Sequence, residues 1–427
     1  MKPRPASRTQ PSSSRPGPVT VGLTRLFRSF DDFQMISNAL SSPLAAQETP
    51  ARFATVSLDQ LALLSEEWRT LACTNEACAE PFFQPEWFLA FARAFESTRP
   101  IHLVTRRCNE QLAGIAPFVS CSSFFANIPA RTLRSLSGIH SCRFDLIHAT
   151  QEPSQLADVI WSSLREQPGW DVIEALDVPD DGAFMHLLGH AKRDGFLIGT
   201  WSTRKSPYLP LPPRDSDPFQ NCPERFKSFR SRLKSKVRKL RQEGRVSFDT
   251  HTRDYNDALT QFFALESSGW KGANGSSITS NLSLVRFYSS IVEEYAQRGY
   301  LRMYSLTVDS IPIAMHLGLL MNGCYYAPKV AYDERFARFS PGQLLVQHVI
   351  TDLTNAGVKK YDFLGPRALW KSVWTEHVRE HHNCYIFRPT IKGRCLHMLA
   401  MKGGSLVRRL RHRLKGDPQN FTIGNPS

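Results

Sequence analysis

No segment of this 427-residue chain stays apolar for long. A membrane-crossing helix needs about 18 or more consecutive apolar residues. The nearest approach, Ile311–Ala327, is broken by His316, Asn322 and Gly323. The nine cysteines include no CxxC pair, and Cys73 and Cys78 stand too far apart for a zinc knuckle. That pattern offers no metal site and points to buried or free thiols in a reducing, cytoplasmic compartment. No G-x-S-x-G elbow or Cys/His signature occurs, so nothing calls for a covalent enzyme intermediate. Acids are missing before Asp31, where Lys2, Arg4, Arg8, Arg15, Arg25 and Arg28 stand unopposed. An apolar signal-peptide core is missing there too. This Arg-, Ser- and Pro-rich start mimics an organellar transit peptide and reads more simply as a disordered leader over residues 1–50.

What is present is basic charge, unevenly placed. The formal net charge is +14. Besides the leader, residues 391–427 hold eight Lys/Arg against Asp417, and residues 225–245 hold ten against Glu243. The remainder is slightly acidic. Uniformly basic chains suggest nucleic acid, whereas this distribution suggests a globular body with basic ends and one basic helix. The tail carries Met398, Leu399, Met401, Leu406, Val407, Leu410 and Leu414 among its cations, the pattern of an amphipathic helix that could meet an anionic membrane surface.

The length suits two domains. Residues 51–206 form the first and 224–390 the second, with a Pro-rich linker over 207–223. Their patterns repeat. A hairpin across Asn109-Glu110 joins Ile101–Thr105 to Leu112–Val119, and another across Asp309-Ser310 joins Arg302–Val308 to Ile311–Leu320. In each half a helix and a strand follow, at Pro153–Glu166 with Asp171–Leu176 and at Ser340–Ala356 with Lys360–Leu364. The fold class is therefore a duplicated α/β (α+β) architecture of mixed sheets flanked by helices.

The two copies differ at the start of that helix. The first begins Gln151-Glu152-Pro153-Ser154, with an acid and no glycine. The second begins Ser340-Pro341-Gly342. Ser is a good N-cap, Pro suits the first helical position, and Gly admits a ligand to the backbone. The N–H groups of Gly342, Gln343 and Leu344 would face a phosphate, with Arg338 as a charged partner. The donor site is thus expected in the second half, and the first half is expected to be scaffold and acceptor wall.

Four motifs in order resemble the GNAT-fold acetyltransferases of the CelD type, associated with cellulose and exopolysaccharide synthesis and related to FemAB-like peptidyltransferases. They are Ser267-Ser268-Gly269-Trp270-Lys271-Gly272, Ser340-Pro341-Gly342, Asp362-Phe363-Leu364-Gly365 and Trp370-Lys371-Ser372-Val373-Trp374. The resemblance covers roughly residues 50–390. It implies tandem GNAT-like (acyl-CoA N-acyltransferase) domains with acetyl-CoA or another acyl-CoA as co-substrate. Pro366 and Trp370 depart from the family pattern beside the acceptor.

Such acyl transfer needs an anchored donor, a polarised carbonyl, a deprotonated nucleophile and a stabilised thiolate. The backbone of the strand Ile313–Leu317 is the expected polarising element. Asp362 and His316 are the candidate bases, while Tyr361 or Tyr325 would protonate the thiolate. Trp270, Lys271, Lys371 and Trp374 are the candidate acceptor-binding residues. The acceptor class is a small molecule or glycan carrying an amine or hydroxyl. The competing readings are an aminoacyl-tRNA-dependent transferase, the only one that involves nucleic acid, and a non-catalytic, membrane-peripheral assembly factor.

Overall fold

A computed structural model describes residues 50–125, 127–149, 151–252, 255–269 and 275–403. The leader and residues 404–427 lie outside this set. In chain order the first half contains β1 (Arg52–Val56), α1 (Leu58–Leu63), α2 (Ser65–Thr74), α3 (Pro85–Phe95), β2 (Ile101–Cys108), β3 (Gln111–Phe125), β4 (Ile128–Ser135), β5 (Ile147–His148), α4 (Pro153–Glu166), β6 (Val172–Pro179), α5 (Ala183–Arg193) and β7 (Leu197–Pro210). The second contains α6 (Phe226–Leu240), β8 (Val246–His251), α7 (Tyr255–Ser268), α8 (Leu282–Gln297), β9 (Met303–Val308), β10 (Ile311–Met321), β11 (Cys324–Tyr332), α9 (Pro341–Asn355), β12 (Lys360–Asp362), α10 (Leu369–Ser372), β13 (Val378–Phe387) and α11 (Ile391–Met398).

Both expected hairpins form. A two-residue turn matching strand twist needs positive φ at both central residues. Asn109 and Glu110 have φ of 51° and 64°, and Asp309 and Ser310 have 48° and 68°.

The strands make one mixed 13-stranded sheet in the order β1-β2-β3-β4-β6-β13-β7-β12-β11-β10-β9-β8, with β5 beside β3. The order is symmetric about β13 and β7. In each half an antiparallel set ends in a parallel pair spanned by a helix, β4 with β6 and β11 with β12. The last strands are exchanged: β13 pairs with β6 of the first half, and β7 pairs with β12 of the second. Three sequence expectations are corrected here. Pro207–Pro210 is strand rather than linker, because Pro207 faces Val378 and Tyr208 faces Asp362 in register. The strand expected over Lys360–Leu364 ends at Asp362, since Leu364 turns left-handed with φ 51°. The first part of the basic tail belongs to the body, where α11 buries Leu396 against Val172, Tyr385 and Phe387.

The halves share a core. Trp87 meets Phe287 edge-on at 5.4 Å, Phe82 meets Tyr326 at 5.4 Å, and the Tyr295 hydroxyl donates to Pro81 O at 2.6 Å. A second core lies where α6 and α9 cover the other face of the second half, around Leu233, Tyr304, Leu345, Val349 and Tyr361.

Candidate active site

The start of α9 is built differently from a simple capped helix. Ser340 is left-handed (φ 55°, ψ 54°) and its side chain caps nothing. Instead Ser340 Oγ accepts a bond from Lys236 Nζ of the basic helix α6 at 2.5 Å. The N–H groups of Gln343 and Leu344 turn back to Ser340 O at 2.9 and 3.1 Å. They are therefore unavailable to a ligand, contrary to expectation. Pro341 has no N–H, which leaves the Gly342 N–H as the outward donor of this turn. It sits beside a lysine ammonium, and both favour an anion. A Cβ at Gly342 would meet only Tyr332 Cδ1, at 3.9 Å. Arg338 is held by Glu243 at 3.0 Å and lies over Phe339. Leu344 is core.

Next to this turn the sheet opens. Pairing of β11 with β12 stops at Tyr326–Asp362. Beyond it, Ala327–Val330 on one side and Phe363–Pro366 on the other line a cavity of about 250 Å³. The first half supplies its far wall with Ile139, His140, Cys142 and Arg204, and α8 adds Tyr288. A second cavity of about 260 Å³ shares Val330 and Trp370 with it and reaches Tyr332, the neighbour of Gly342. Two adjoining cavities thus lead from Tyr332, beside the start of α9, to the gap between the strands. Gln343 braces the Trp370–Trp374 segment from the first turn of α9: its side-chain amide donates to Trp370 O at 3.5 Å and accepts from Trp374 Nε1 at 2.7 Å. The equivalent place in the first half is closed, because Ser135 Oγ on β4 accepts the Leu176 N–H of β6 at 3.1 Å.

Arg204, Lys329 and Lys371 line the cavity with no carboxylate among its lining residues, and Arg204 is already paired with Asp177, to which its Nε donates at 2.9 Å. Burial pushes the Lys371 ammonium down to about 8. It donates to Leu364 O at 2.5 Å and to Pro366 O at 3.1 Å, so Lys371 also fixes the turn after β12. The Tyr361 hydroxyl is buried without a hydrogen-bond partner, and burial and Asp362 raise its pKa. His140 Nδ1 lies 3.4 Å from the Tyr288 hydroxyl, and burial and Lys329 push the ring down to about 4. Cys142 is left-handed at φ 63°, and burial pushes its thiol up to about 11.

Of the residues singled out in the sequence, Tyr361 and Lys371 line the cavity, while Ser340, Gly342 and Gln343 shape its approach. Asp362 is placed otherwise. Its Oδ2 accepts from Arg143 at 2.9 Å and its Oδ1 accepts the Leu364 N–H at 2.9 Å, while Arg143 is held by Glu80 at 2.7 Å. It anchors a buried charge network between the halves. His316 is buried under α9, opposite Tyr304, with Nδ1 unpartnered and its pKa pushed down to about 3 by burial. Tyr325 is buried beside Tyr361, and Trp374 packs on Phe226. The expected polarising strand is also moved: β10 is paired on both sides at Ala314–His316, so the free edge belongs to β11. Trp270 and Lys271 lie outside the described residues. His140, Cys142, Arg204, Tyr288 and Lys329 were not legible as site residues, because no motif surrounds them and only the packing of the halves brings them together.

Residues 227–372 match the model of the acetyltransferase (GNAT) domain. Both walls of the β11–β12 opening fall within that matched segment, which supports an acyltransferase. No curated protein matches the chain. Among solved structures, the C-terminal domain of a putative lysylphosphatidylglycerol synthetase from Agrobacterium fabrum is 10% identical, with a TM-score of 0.49 over 86% of this chain and 100% of that one. FemX is 12% identical at a TM-score of 0.47, over 70% of this chain and 90% of its own. A tandem GNAT protein from the clavulanic acid biosynthesis pathway is 11% identical at 0.41, over 80% and 99%. Likenesses this distant carry no argument about what the chain binds. Among the described residues no helix is long and apolar enough to cross a membrane, and no group of three or more His, Cys, Asp or Glu could hold a metal ion.

Proposed function

We propose that the chain transfers an acyl group, in the first instance acetyl, from acyl-CoA to an amine or hydroxyl of a sugar or cell-envelope precursor, in exopolysaccharide synthesis of the CelD type. The observation that carries this reading is the pair of adjoining cavities that lead from Tyr332, beside Gly342, to the opening between β11 and β12. The pyrophosphate sits on the Gly342 N–H and Lys236. The pantetheine arm passes Tyr332 and Trp370. The thioester carbonyl lies at the unpaired edge of Ala327–Val330, where a backbone N–H of a residue other than Pro328 polarises it. The acceptor enters from the first-half wall. Its nucleophile attacks the carbonyl carbon directly, the C–S bond breaks, and CoA leaves as the thiolate.

For the protons, neutral His140 is better placed than Asp362 or His316 to take the one released by the acceptor, because it faces the cavity. Tyr361, whose hydroxyl is buried without a partner, is the group that donates a hydrogen bond to the departing thiolate. Lys371 in the cavity wall favours an acceptor with a carboxylate or phosphate, as envelope precursors and nucleotide sugars have. Such a reaction belongs in the cytoplasm, where acyl-CoA is made, with the basic tail able to hold the protein at an anionic membrane surface.

Isothermal titration with acetyl-CoA tests the reading. Wild type should bind in the micromolar range, and Gly342→Asp, which fits sterically but sets a carboxylate against the pyrophosphate, should bind at least about tenfold more weakly. A folded wild type that gives no binding heat would sink the acyl-CoA reading. Strong tRNA binding that weakens steeply with salt would then favour the aminoacyl-tRNA alternative.

A further inference from the structure

The cavity between the halves is larger and more apolar than an acetyl group needs. Its volume is about 250 Å³. An acetyl group ends one methyl beyond the thioester carbonyl and fills only a small part of that space. The charged groups in the wall are largely engaged already. Arg204 is paired with Asp177, the Lys371 ammonium donates to Leu364 O and Pro366 O, and Lys329 lies over the Tyr288 ring at 5.2 Å. Ile139, Cys142, Tyr288, Ala327, Val330 and Leu364 line much of the rest. Such a wall gains binding energy with every methylene that it covers.

The cavity also has an apolar way out. His140 stacks on Phe95 of α3 with ring centroids 6.1 Å apart, and meets Tyr288 of α8 edge-on at 6.1 Å. Just before it in the chain, Ile139 lines the cavity but is 82% exposed. A Cβ at Gly138 would meet Phe91 Cζ at 3.0 Å, so the chain leading to Ile139 is seated closely on α3. On α8, Leu282, Val285 and Tyr288 stand at three-residue spacing, which makes one ridge of the helix surface. Tyr288 is buried in the cavity wall, Val285 is half-buried, and Leu282 is 72% exposed. A lone exposed apolar side chain is ordinary. Two of them leading outward from the same buried tyrosine mark a path for an apolar ligand.

We propose that the donor is an acyl-CoA with a chain longer than acetyl, whose methylenes fill the cavity beside Tyr288 and leave it over Ile139 and Leu282. The inference rests on the acyl-CoA reading above and specifies the group that is transferred. The chemistry is the same. The acceptor's nitrogen or oxygen bonds to the carbonyl carbon, the C–S bond breaks, the nucleophile's proton passes to His140, and CoA leaves as the thiolate. The product is then an acceptor carrying an apolar chain, an amphiphile in place of an acetylated molecule.

The test is isothermal titration of the full chain with acetyl-, hexanoyl- and decanoyl-CoA, for wild type and for Ile139→Ser/Leu282→Ser. Both substituted side chains are exposed, so the variant should fold, and acetyl-CoA titrated into the same protein is the reference for each. A buried methylene is worth roughly fourfold in affinity, so wild type should bind hexanoyl-CoA at least about tenfold more tightly than acetyl-CoA. Decanoyl-CoA, whose chain reaches the exposed residues, should bind more tightly still. The variant should lose that last gain and keep its preference for hexanoyl- over acetyl-CoA. Equal wild-type affinities for the three, or a decanoyl gain that the variant retains in full, would overturn the inference while leaving the acyl-CoA reading intact. Binding of none of the three by folded wild type would remove both.

Discussion

Arg143 is the residue whose removal should cost the fold most for one side chain. It is 1% exposed and bridges Glu80, 7% exposed, and Asp362, 5% exposed, through bonds of 2.7 and 2.9 Å. Glu80 also holds Arg379 at 3.1 Å. The network crosses from the segment before α3 to the end of β12, so it joins the halves where the cavity opens. Arg143→Met fills similar volume but strands the carboxylate of Asp362, whose remaining bond is to the Leu364 N–H. Removing one partner of a buried ion pair costs about 3–5 kcal/mol, because the other charge stays desolvated. That is a large part of the 5–15 kcal/mol typical of a whole domain. Asp362→Asn added to Arg143→Met removes the stranded charge and should recover roughly 1–3 kcal/mol. The assay is urea unfolding at pH 7 followed by tryptophan fluorescence, for wild type, both single variants and the double variant. A loss below about 1 kcal/mol in Arg143→Met, or strict additivity in the double variant, would refute the assignment of Asp362 as an anchor.

Two pH effects follow from burial. His316 and His381 are pushed down from 6.5 to about 3 and about 2, in both cases chiefly by burial. A folded value below the unfolded one means that unfolding takes up a proton as pH falls. Stability present above pH 6.5 is therefore lost on acidification, by roughly 3–4 kcal/mol between pH 7 and pH 5 for the pair. Urea midpoints that do not move over that range would contradict this. Lys371 is shifted in the same direction, from 10.5 to about 8. The folded state releases its proton first, so wild type should gain about 2 kcal/mol over Lys371→Met between pH 8 and pH 10. A pH-independent gap between the two proteins would show that Lys371 stays charged throughout.

Much of the plan was legible because local rules wrote it. Alternating apolar residues around Asn109-Glu110 and Asp309-Ser310 marked both hairpins, and the spacing of Leu344, Leu345, Val349, Ile350 and Leu353 marked the face of α9. β13 escaped notice because Val378–Asn383 is polar, and it becomes strand only by lying between β6 and β7. β7 (Leu197–Pro210) also escaped notice, for a related reason. Its prolines suggested a linker, whereas Pro207 and Pro210 stand at positions where other strands supply the pairing.

The sequence by itself determined the repeat, the difference between the two helix starts, and the placing of basic charge beside the second. These are matters of residue type and spacing along one segment. Tertiary structure alone decided which polar groups have a partner. It turned the Gln343 and Leu344 N–H groups inward, drew Ser340 Oγ to Lys236, and spent Asp362 on Arg143. It also moved the open strand edge from β10 to β11 and brought His140 and Cys142 to face Lys371 across a shared cavity. The reason is physical: a hydrogen bond or an ion pair depends on where two distant segments meet, and burial, which sets the charge of His140 and Lys371, is a property of the packed whole.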